Sequence, residues 1–288
     1  MSAFLDVLAS GPQALVTDHG RAGNAHLGVP PSGALDRPAF DLGNRLVGNA
    51  PGTAGLELLG GGLRVRARGP RLVAVTGAPA PVRVDGRPVG SHHAVRVPDG
   101  AVLEIGTPVG GLRVYLAVAG GLDVPAALGS RSTDLLSGLG PEPVADGDAL
   151  PVGPWTGPVP ECGPVPVSLP PATIRLRVRL GPRDDWFTDA GAALAGPVWT
   201  VSPTGNRIGV RLDGPAPPRC PDTRGRELPS EAMVTGAVQA PPDGPPVVFL
   251  ADHPTTGGYP VIGVVDPADL PLLAQATPGS AVRFTVDA

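Results

Sequence analysis

The stretch LRVRARGPRLVAVTG, residues 63–77, decides the fold class. In its first half apolar residues alternate with arginine, and after Gly69 and Pro70 a short apolar run follows. Alternation with a period of two is typical of a half-buried strand, and a short apolar run bounded by turn residues is typical of a buried one. The stretch therefore predicts β-strands separated by a turn.

The same pattern of strand-like segments ended by turn residues continues toward the C-terminus. Residues 80–90, 92–106 and 112–121 carry apolar or alternating segments that stop at glycine, proline or Asp-Gly. Strands of this length at this spacing are typical of a barrel or a sandwich. We predict an all-β protein with a few short helices.

Two segments show helical spacing instead. Residues 32–49 place apolar side chains on one helical face, with Ser32 or Asp36 as the N-cap. Residues 266–276 predict a second helix, with Asp266 as its cap. We expect both to pack against strands.

Composition supports a folded chain of two domains. Glycine (42) and proline (39) are abundant among the 288 residues, but 42% of the residues are hydrophobic and only 17% are charged. That supplies enough apolar surface to offset chain entropy. The proline-rich residues 151–171 cannot hold a helix or a central strand, so we place a bridge there. The predicted domains are residues 1–150 and 172–288.

The basic residues exclude several functions because all 22 of them are arginine. A Walker-type phosphate loop, a Schiff base and a covalently attached biotin each need a lysine, so none belongs to this chain. The net charge of −4, the scattered arginines and the 3% aromatic content argue against nucleic-acid binding. No apolar run could span a bilayer and no signal sequence is visible, so we expect a cytoplasmic protein without membrane contact.

Histidine and cysteine spacing predicts no metal site. The five histidines and two cysteines form no recognisable ligand set, and we expect Cys162 and Cys220 to be free thiols. The adjacent His92 and His93 lie in a polar hairpin and are expected at the surface. His253 is the histidine that falls inside a polar constellation.

Four constellations concentrate polar residues among glycines. Arginine beside hydroxyls and loop amides suits an oxyanion, because guanidinium binds it bidentately. Each constellation also has a structural interpretation: a β-turn for Ser-Arg-Ser-Thr, an Asx turn for Asp252, and an anchoring ion pair for Asp18, Arg21 and Asp36. The constellations lie at residues 18–36, 129–134, 205–212 and 239–259.

Taken together, residues 18–49, 112–134, 205–212 and 228–263 resemble the biotin-dependent carboxyltransferase family, which includes the C subunit of 5-oxoprolinase, allophanate hydrolase subunit 2 and the urea amidolyase-related enzymes. The resemblance implies two tandem cyclophilin-like β-barrels. It also implies A-like and B-like partner subunits of the same complex, a small amide or lactam substrate, and ATP with Mg²⁺ bound with or by those partners.

The resemblance implies three functions for the chain. The first is a subunit of an ATP-dependent 5-oxoprolinase that opens 5-oxo-L-proline to L-glutamate. The second is the carboxyltransferase component of a urea-carboxylase-type enzyme, and the third is a non-catalytic regulator that binds a partner resembling the B subunit. The family's usual glycine-rich turn with a further arginine is replaced around Pro143. If that arginine contributes to substrate binding in the family, we expect this chain to bind a different substrate or to depend more on its partner.

Roles for the matched positions follow from residue chemistry. Catalytic candidates are Arg131 and Arg207, which would neutralise developing charge, and Asp252, which would orient or deprotonate a water. The remaining candidates would hold substrate. They are Arg21, Ser32, Asp36, Ser132, Thr133, Gln239, Thr255, Thr256, Gly257, Gly258 and Tyr259.

Overall fold

The computed structural model describes residues 3–155, 157–158, 160, 163–167, 169–242 and 244–287, and it divides into two compact units. The first unit comprises the described residues of Met1–Arg21, Ser32–Asp134 and Gly138–Leu169. The second comprises those of Ala22–Pro31, Leu135–Ser137 and Pro170–Ala288. Each unit therefore collects segments that are distant in sequence.

The first unit is built from eleven strands and one α-helix within its described residues. In chain order they are β1 (Ala3–Ala9), β2 (Gln13–Thr17), α1 (Arg37–Leu46), β3 (Gly55–Leu59), β4 (Arg64–Arg68), β5 (Arg71–Gly77), β6 (Val82–Val84), β7 (Arg87–Pro88), β8 (Ala94–Val97), β9 (Val102–Ile105), β10 (Arg113–Val118) and β11 (Ala149–Val152).

These strands form two sheets, ordered β11-β1-β4-β9-β6-β7 and β2-β3-β10-β5-β8. In β4 the arginines are exposed while Val65 and Ala67 are buried, as the alternation in the sequence requires. In β5 five consecutive residues are buried, because the other face of its sheet is also covered. Side chains from both sheets meet in one hydrophobic cluster that forms the core of the unit.

Helix α1 covers the five-stranded sheet. Asp36 is its N-cap and accepts a hydrogen bond from the Ala39 amide at 3.1 Å, which stabilises the first turn. Its buried face includes Phe40 and Gly43. A Cβ at Gly43 would lie 3.0 Å from Thr76 Oγ1, so the missing side chain allows the helix to approach β5 closely.

The second unit contains nine strands and two short α-helices among its described residues, with 3₁₀ turns at Ala25–Leu27, Asp184–Trp186 and Pro221–Thr223. The strands and helices are β12 (Thr173–Leu180), α2 (Ala190–Ala195), β13 (Trp199–Val201), β14 (Gly209–Asp213), β15 (Glu231–Ala232), β16 (Ala237–Gln239), β17 (Val247–Phe249), β18 (Thr256–Gly257), β19 (Val261–Val265), α3 (Leu270–Ala274) and β20 (Ala281–Val286).

Seven of these strands close a barrel in the order β12-β19-β16-β17-β14-β13-β20. Closure depends on a parallel pairing of β12 with β20, which runs in register from Thr173 opposite Ala281 to Val178 opposite Val286. Strands β15 and β18 form a separate two-stranded ribbon. A closed barrel leaves no free edge strand in its ladder.

The predicted all-β class with short helices is confirmed. A closed barrel is observed in the second unit, whereas the strands of the first unit form two sheets, so a barrel there stays a prediction. The division at residues 150 and 172 also stays a prediction. Several residues of the bridge 151–171, including Cys162, lie outside the described residues, while Cys220 is a free thiol.

Two local predictions are wrong. The second helix exists, but Asp266 is not its cap: α3 begins after Asp269, and Asp266 Oδ1 instead accepts from the Ala268 amide in the preceding turn. His92 is not at the surface, because only 4% of it is exposed. Its φ of 60° turns the ring inward, where Nε2 lies 3.1 Å from the Gly77 carbonyl oxygen.

Candidate functional site

In the first unit, polar contacts gather around the buried carboxylate of Asp18, at the end of β2. Its Oδ1 accepts from the hydroxyls of Ser130 and Ser132, both at 2.6 Å, and from the Gly20 amide at 2.7 Å. Its Oδ2 accepts from the Arg131 amide at 2.6 Å. We call Asp18, Ser130, Arg131 and Ser132 the Asp18 cluster. Bonds to an ionised acceptor are the strong ones, so this carboxylate fixes the 130–132 loop.

A tight turn presents this loop to Asp18. Leu128 and Gly129 both have positive φ, at 50° and 81°, and the Ala127 and Ser130 backbones bond to each other across them. Positive φ at both central positions is the type I′ hairpin geometry, which glycine favours. The predicted β-turn at Ser-Arg-Ser-Thr is therefore present, and Asp18 anchors its far side.

Two candidate arginines of this unit, Arg21 and Arg131, have different environments. The Arg131 side chain is 41% exposed, and its guanidinium donates to the Val124 carbonyl at 2.7 Å and to Asp123 at 3.1 Å. Arg21 is buried and donates to the carbonyl oxygens of Ala127 and Ser132. Arg131 is thus the arginine of this pair that a solute reaches without rearrangement.

The loop before α1 is held by a buried network that the sequence analysis missed. Glu57 on β3 accepts from the Tyr115 hydroxyl at 3.0 Å and the Leu35 amide at 3.1 Å, and it pairs with Arg113 at 3.3 Å. The Tyr115 hydroxyl in turn accepts from the Asp36 amide at 2.8 Å. Burial, and then the charge of Glu57, raise the pKa of Tyr115 well above its ordinary value, so the phenol stays protonated. A single glutamate in the apolar run GLELL was the signal for this network.

The remaining candidates of the first unit are buried beside these contacts. Ser32 is 2% exposed, has a φ of 53° and donates to the Thr133 carbonyl at 3.2 Å. Thr133 pairs with Val16 on β2 through its amide. Asp36 caps α1, as described above. Substrate-binding roles for Ser32, Asp36 and Thr133 stay predictions.

In the second unit, Arg207 and Asp252 form a buried bidentate ion pair. Nε of Arg207 donates to Oδ2 of Asp252 at 2.8 Å, and Nη2 of Arg207 donates to Oδ1 of Asp252 at 3.0 Å. The side chains are 3% and 0% exposed. We call Arg207, Asp252 and the adjacent His253 the Asp252 cluster.

The backbone explains why Arg207 points inward. The Asn206 side chain accepts from the Ile208 amide at 2.8 Å and folds the chain into a turn just before β14. The Arg207 carbonyl then accepts from the Asp252 amide, and the Ile208 carbonyl accepts from the Leu250 amide. The 205–212 and 239–259 constellations, separated in sequence, are therefore brought together at the ends of β14 and β17.

His253 is buried next to this pair. It is 4% exposed, its Nδ1 lies 2.8 Å from the Pro254 carbonyl oxygen, and its ring meets Phe249 edge-on with centroids 6.5 Å apart. Burial lowers the pKa of His253, against smaller opposing effects from the Pro254 carbonyl and the Asp252 charge. The ring is neutral at pH 7.

The loop that follows holds the other candidates. Gln239 on β16 donates to the Tyr259 carbonyl at 3.1 Å, and a Cβ at Gly257 would lie 2.7 Å from its amide nitrogen. Glycine at 257 therefore makes room for Gln239. Thr256 and the side chain of Tyr259 are exposed. The Thr255 carbonyl accepts from the Met233 amide, and Gly258 is exposed.

Neither a metal-ligand cluster nor a membrane-spanning helix is present in the part of the chain that the structure describes. No group of three or more His, Cys, Asp or Glu side chains is placed to hold a metal ion among the residues of that part. Within the same residues, no helix combines the length and the apolar character needed to cross a bilayer.

The mainly-β architecture defines the class of protein, and solved structures share it. The crystal structure of TTHA0988 matches with a TM-score of 0.90 and 38% identity, covering 99% of this chain and 56% of that chain. The chain thus spans about half the length of that protein. The chain belongs to the carboxyltransferase domain family, subdomains A and B, whose model matches residues 27–286. The family predicted from four motifs is confirmed.

Curated relatives fall into two groups. The C subunit of 5-oxoprolinase from Escherichia coli is 37% identical over 285 residues, which are 98% of this chain and 90% of the relative. The urea amidolyase of Saccharomyces cerevisiae is 33% identical over 302 residues, 97% of this chain but 16% of the relative. The chain therefore has nearly the extent of the first relative and corresponds to one segment of the second.

Proposed function

We propose that this chain is a subunit of a cytoplasmic, ATP-dependent 5-oxoprolinase-type amidohydrolase, which opens 5-oxo-L-proline to L-glutamate together with A-like and B-like partner subunits. The proposal rests on how much of the two chains aligns, because the similarity covers 98% of this chain and 90% of a 5-oxoprolinase C subunit. A chain that aligns with 90% of a separate subunit is suited to work in a multi-chain enzyme.

The polar clusters suit the chemistry of a lactam. An unstrained amide is a poor electrophile, and phosphorylating its oxygen makes the carbon open to attack by water. Arg207 is held rigidly by Asp252, and such a preorganised cation stabilises negative charge that develops in the transition state. Gln239, Thr255 and Tyr259 would position the substrate, and Arg131 with Ser132 would serve an anionic group in the first unit.

ATP fits this chain poorly as a resident ligand. The sequence has no lysine for a Walker-type phosphate loop. We therefore assign ATP and Mg²⁺ to sites formed with or by the partner chains. The same lack of lysine leaves no attachment point for biotin here.

The test is reconstitution with the purified A-like and B-like partner subunits. We expect ATP-dependent release of glutamate from 5-oxoproline that requires this chain and falls at least tenfold with Arg207→Gln. Arg177→Gln is the matched control, because Arg177 makes a similar two-point contact with Asp269 but is 48% exposed. Release that is independent of this chain, or equal in both variants, contradicts the proposal.

A second function is the carboxyltransferase component of a urea-carboxylase-type enzyme. The family match itself and the 33% identity to a urea amidolyase favour it. Carboxylation of urea by carboxylated biotin, offered on a carrier domain, tests it in the same reconstituted complex. Carboxyl transfer without glutamate release selects this function over the first.

A further inference from the structure

The Asp252 carboxylate is unsuited to accept a proton from substrate or water. Both of its oxygens accept from the Arg207 guanidinium, and the side chain is 0% exposed. Each oxygen keeps a second lone pair, but the side chain has no exposed surface through which water or substrate could reach it. The site needs another acceptor if it is to activate a nucleophile.

His253, next to Asp252 in the chain, offers such a proton acceptor, and its hydrogen bond to the Pro254 carbonyl shows which ring nitrogen it is. The Pro254 carbonyl can only accept, so the Nδ1 that lies 2.8 Å from it carries the proton. In a neutral imidazole the other nitrogen, Nε2, then holds the lone pair. Burial lowers the pKa of His253 and keeps the ring in this neutral form.

We propose that Nε2 of His253 is the proton acceptor of the Asp252 cluster, and that Asp252 is a positioning residue that holds Arg207. An imidazole with one nitrogen fixed by a backbone carbonyl and the other presenting a lone pair is the arrangement of a general base. This inference rests on the proposed function, because it assigns a step of that reaction.

The step balances without a further reagent beyond the ATP that activates the lactam. Nε2 takes a proton from the attacking water as the water oxygen bonds to the lactam carbon. The added hydroxyl then loses its remaining proton to solvent and becomes the carbonyl of an acyl phosphate. As it does so the ring C–N bond breaks, the electron pair of that bond stays on nitrogen, and the imidazolium gives its proton to that nitrogen. Hydrolysis of the resulting acyl phosphate by a second water gives glutamate and inorganic phosphate.

The experiment uses the reconstituted complex with His253→Asn, which keeps an amide donor near the Pro254 carbonyl and removes Nε2. We expect kcat for glutamate release to fall by about 10²–10⁴-fold, with KM changed less than about threefold. His92→Asn is the matched control: His92 is equally buried, but its Nδ1 and Nε2 both have partners, Ser91 Oγ and the Gly77 carbonyl. We expect its kcat to stay within about threefold of wild type.

A second measurement needs no variant. Nitrogen-15 NMR of the wild-type chain in the complex reports which ring nitrogen carries hydrogen, and we expect His253 to be protonated on Nδ1. Protonation on Nε2, or a folded His253→Asn complex with wild-type kcat, overturns the inference alone. A wild-type complex inactive in both reactions overturns the proposed function and this inference with it.

Discussion

At the scale of single residues, the buried Arg207–Asp252 pair carries the largest stability effect we expect. Removing one partner of a buried ion pair leaves an uncompensated charge and typically costs about 3–5 kcal/mol. We therefore expect Asp252→Ala to lower the free energy of unfolding of the second unit by that amount, measured by urea denaturation.

The matched control is Asp269→Ala. Asp269 receives two hydrogen bonds from the Arg177 guanidinium, much as Asp252 does from that of Arg207, but the Arg177 side chain is 48% exposed. Water can solvate Arg177 once Asp269 is removed, so we expect the free energy of unfolding to fall by about 1 kcal/mol or less. Equal losses for the two variants show that the Arg207–Asp252 pair is solvated rather than buried.

His92 gives the molecule a dependence of stability on pH. Burial, opposed by its bond to the Gly77 carbonyl, lowers the pKa of His92 below its ordinary value of about 6.5. The unfolded chain then binds more protons, so stability falls as pH drops below about 6.5 and continues to fall until the folded-state pKa is passed. We expect His92→Asn, which tolerates the positive φ, to reduce this slope between pH 7 and 5 in urea titrations. An unchanged slope assigns the pH dependence to other groups.

Residue contacts separate what the sequence could predict from what it could not. Arginine beside serine and glycine identified the Asp18 cluster as a polar site, but the bonds that orient Arg131 and Ser132 come from Asp18, more than a hundred positions earlier in the chain. The partnership of Arg207 and Asp252 likewise spans 45 positions. Composition locates such residues, whereas the topology of the sheets decides which of them meet.

At the scale of strands and helices, local sequence patterns predicted the structure better than they predicted contacts between distant residues. Alternation in β4 and the apolar run in β5 predicted both strands, because burial on one face or two faces leaves a different periodicity. For the same local reason the N-cap of α1 was predicted at Ser32 or Asp36, and Asp36 is the cap. The start of α3 was misplaced, because the Asp266 side chain caps the turn that precedes the helix. Asp269, the residue directly before α3, makes no capping hydrogen bond, since its carboxylate accepts from Arg177.

The Asp36 cap is testable as an element. We expect Asp36→Ala to destabilise the first unit by about 1 kcal/mol, because the Ala39 amide loses its acceptor. Arg45→Ala, an exposed substitution on the same helix, is expected to change stability by less than about 0.5 kcal/mol. Thermal unfolding with secondary-structure detection measures both. A larger loss for Arg45→Ala contradicts the capping role.

At the scale of the whole molecule, the pairing of β12 with β20 shows why the second domain was hard to predict. The two strands bracket the barrel, and their parallel register joins Thr173 to Ala281 across more than a hundred residues. Both strands alternate buried residues with more exposed ones. Their closure into a barrel was implied by the family resemblance and not by periodicity, because periodicity carries no information about partners.

The two units also have separate hydrophobic cores, which leads to a prediction for the whole chain. Leu116 lies fully buried in the core of the first unit, and Phe284 packs against Trp199 in the barrel at a centroid distance of 6.3 Å. Each truncation to alanine should remove about 2–5 kcal/mol from the unit that contains it. Because each core belongs to one unit, we expect hydrogen exchange to accelerate mainly in the first unit for Leu116→Ala and mainly in the second for Phe284→Ala. Equal acceleration throughout the chain for both variants means that the two cores unfold as a single cooperative structure, and the assignment of stability to separate units is then wrong.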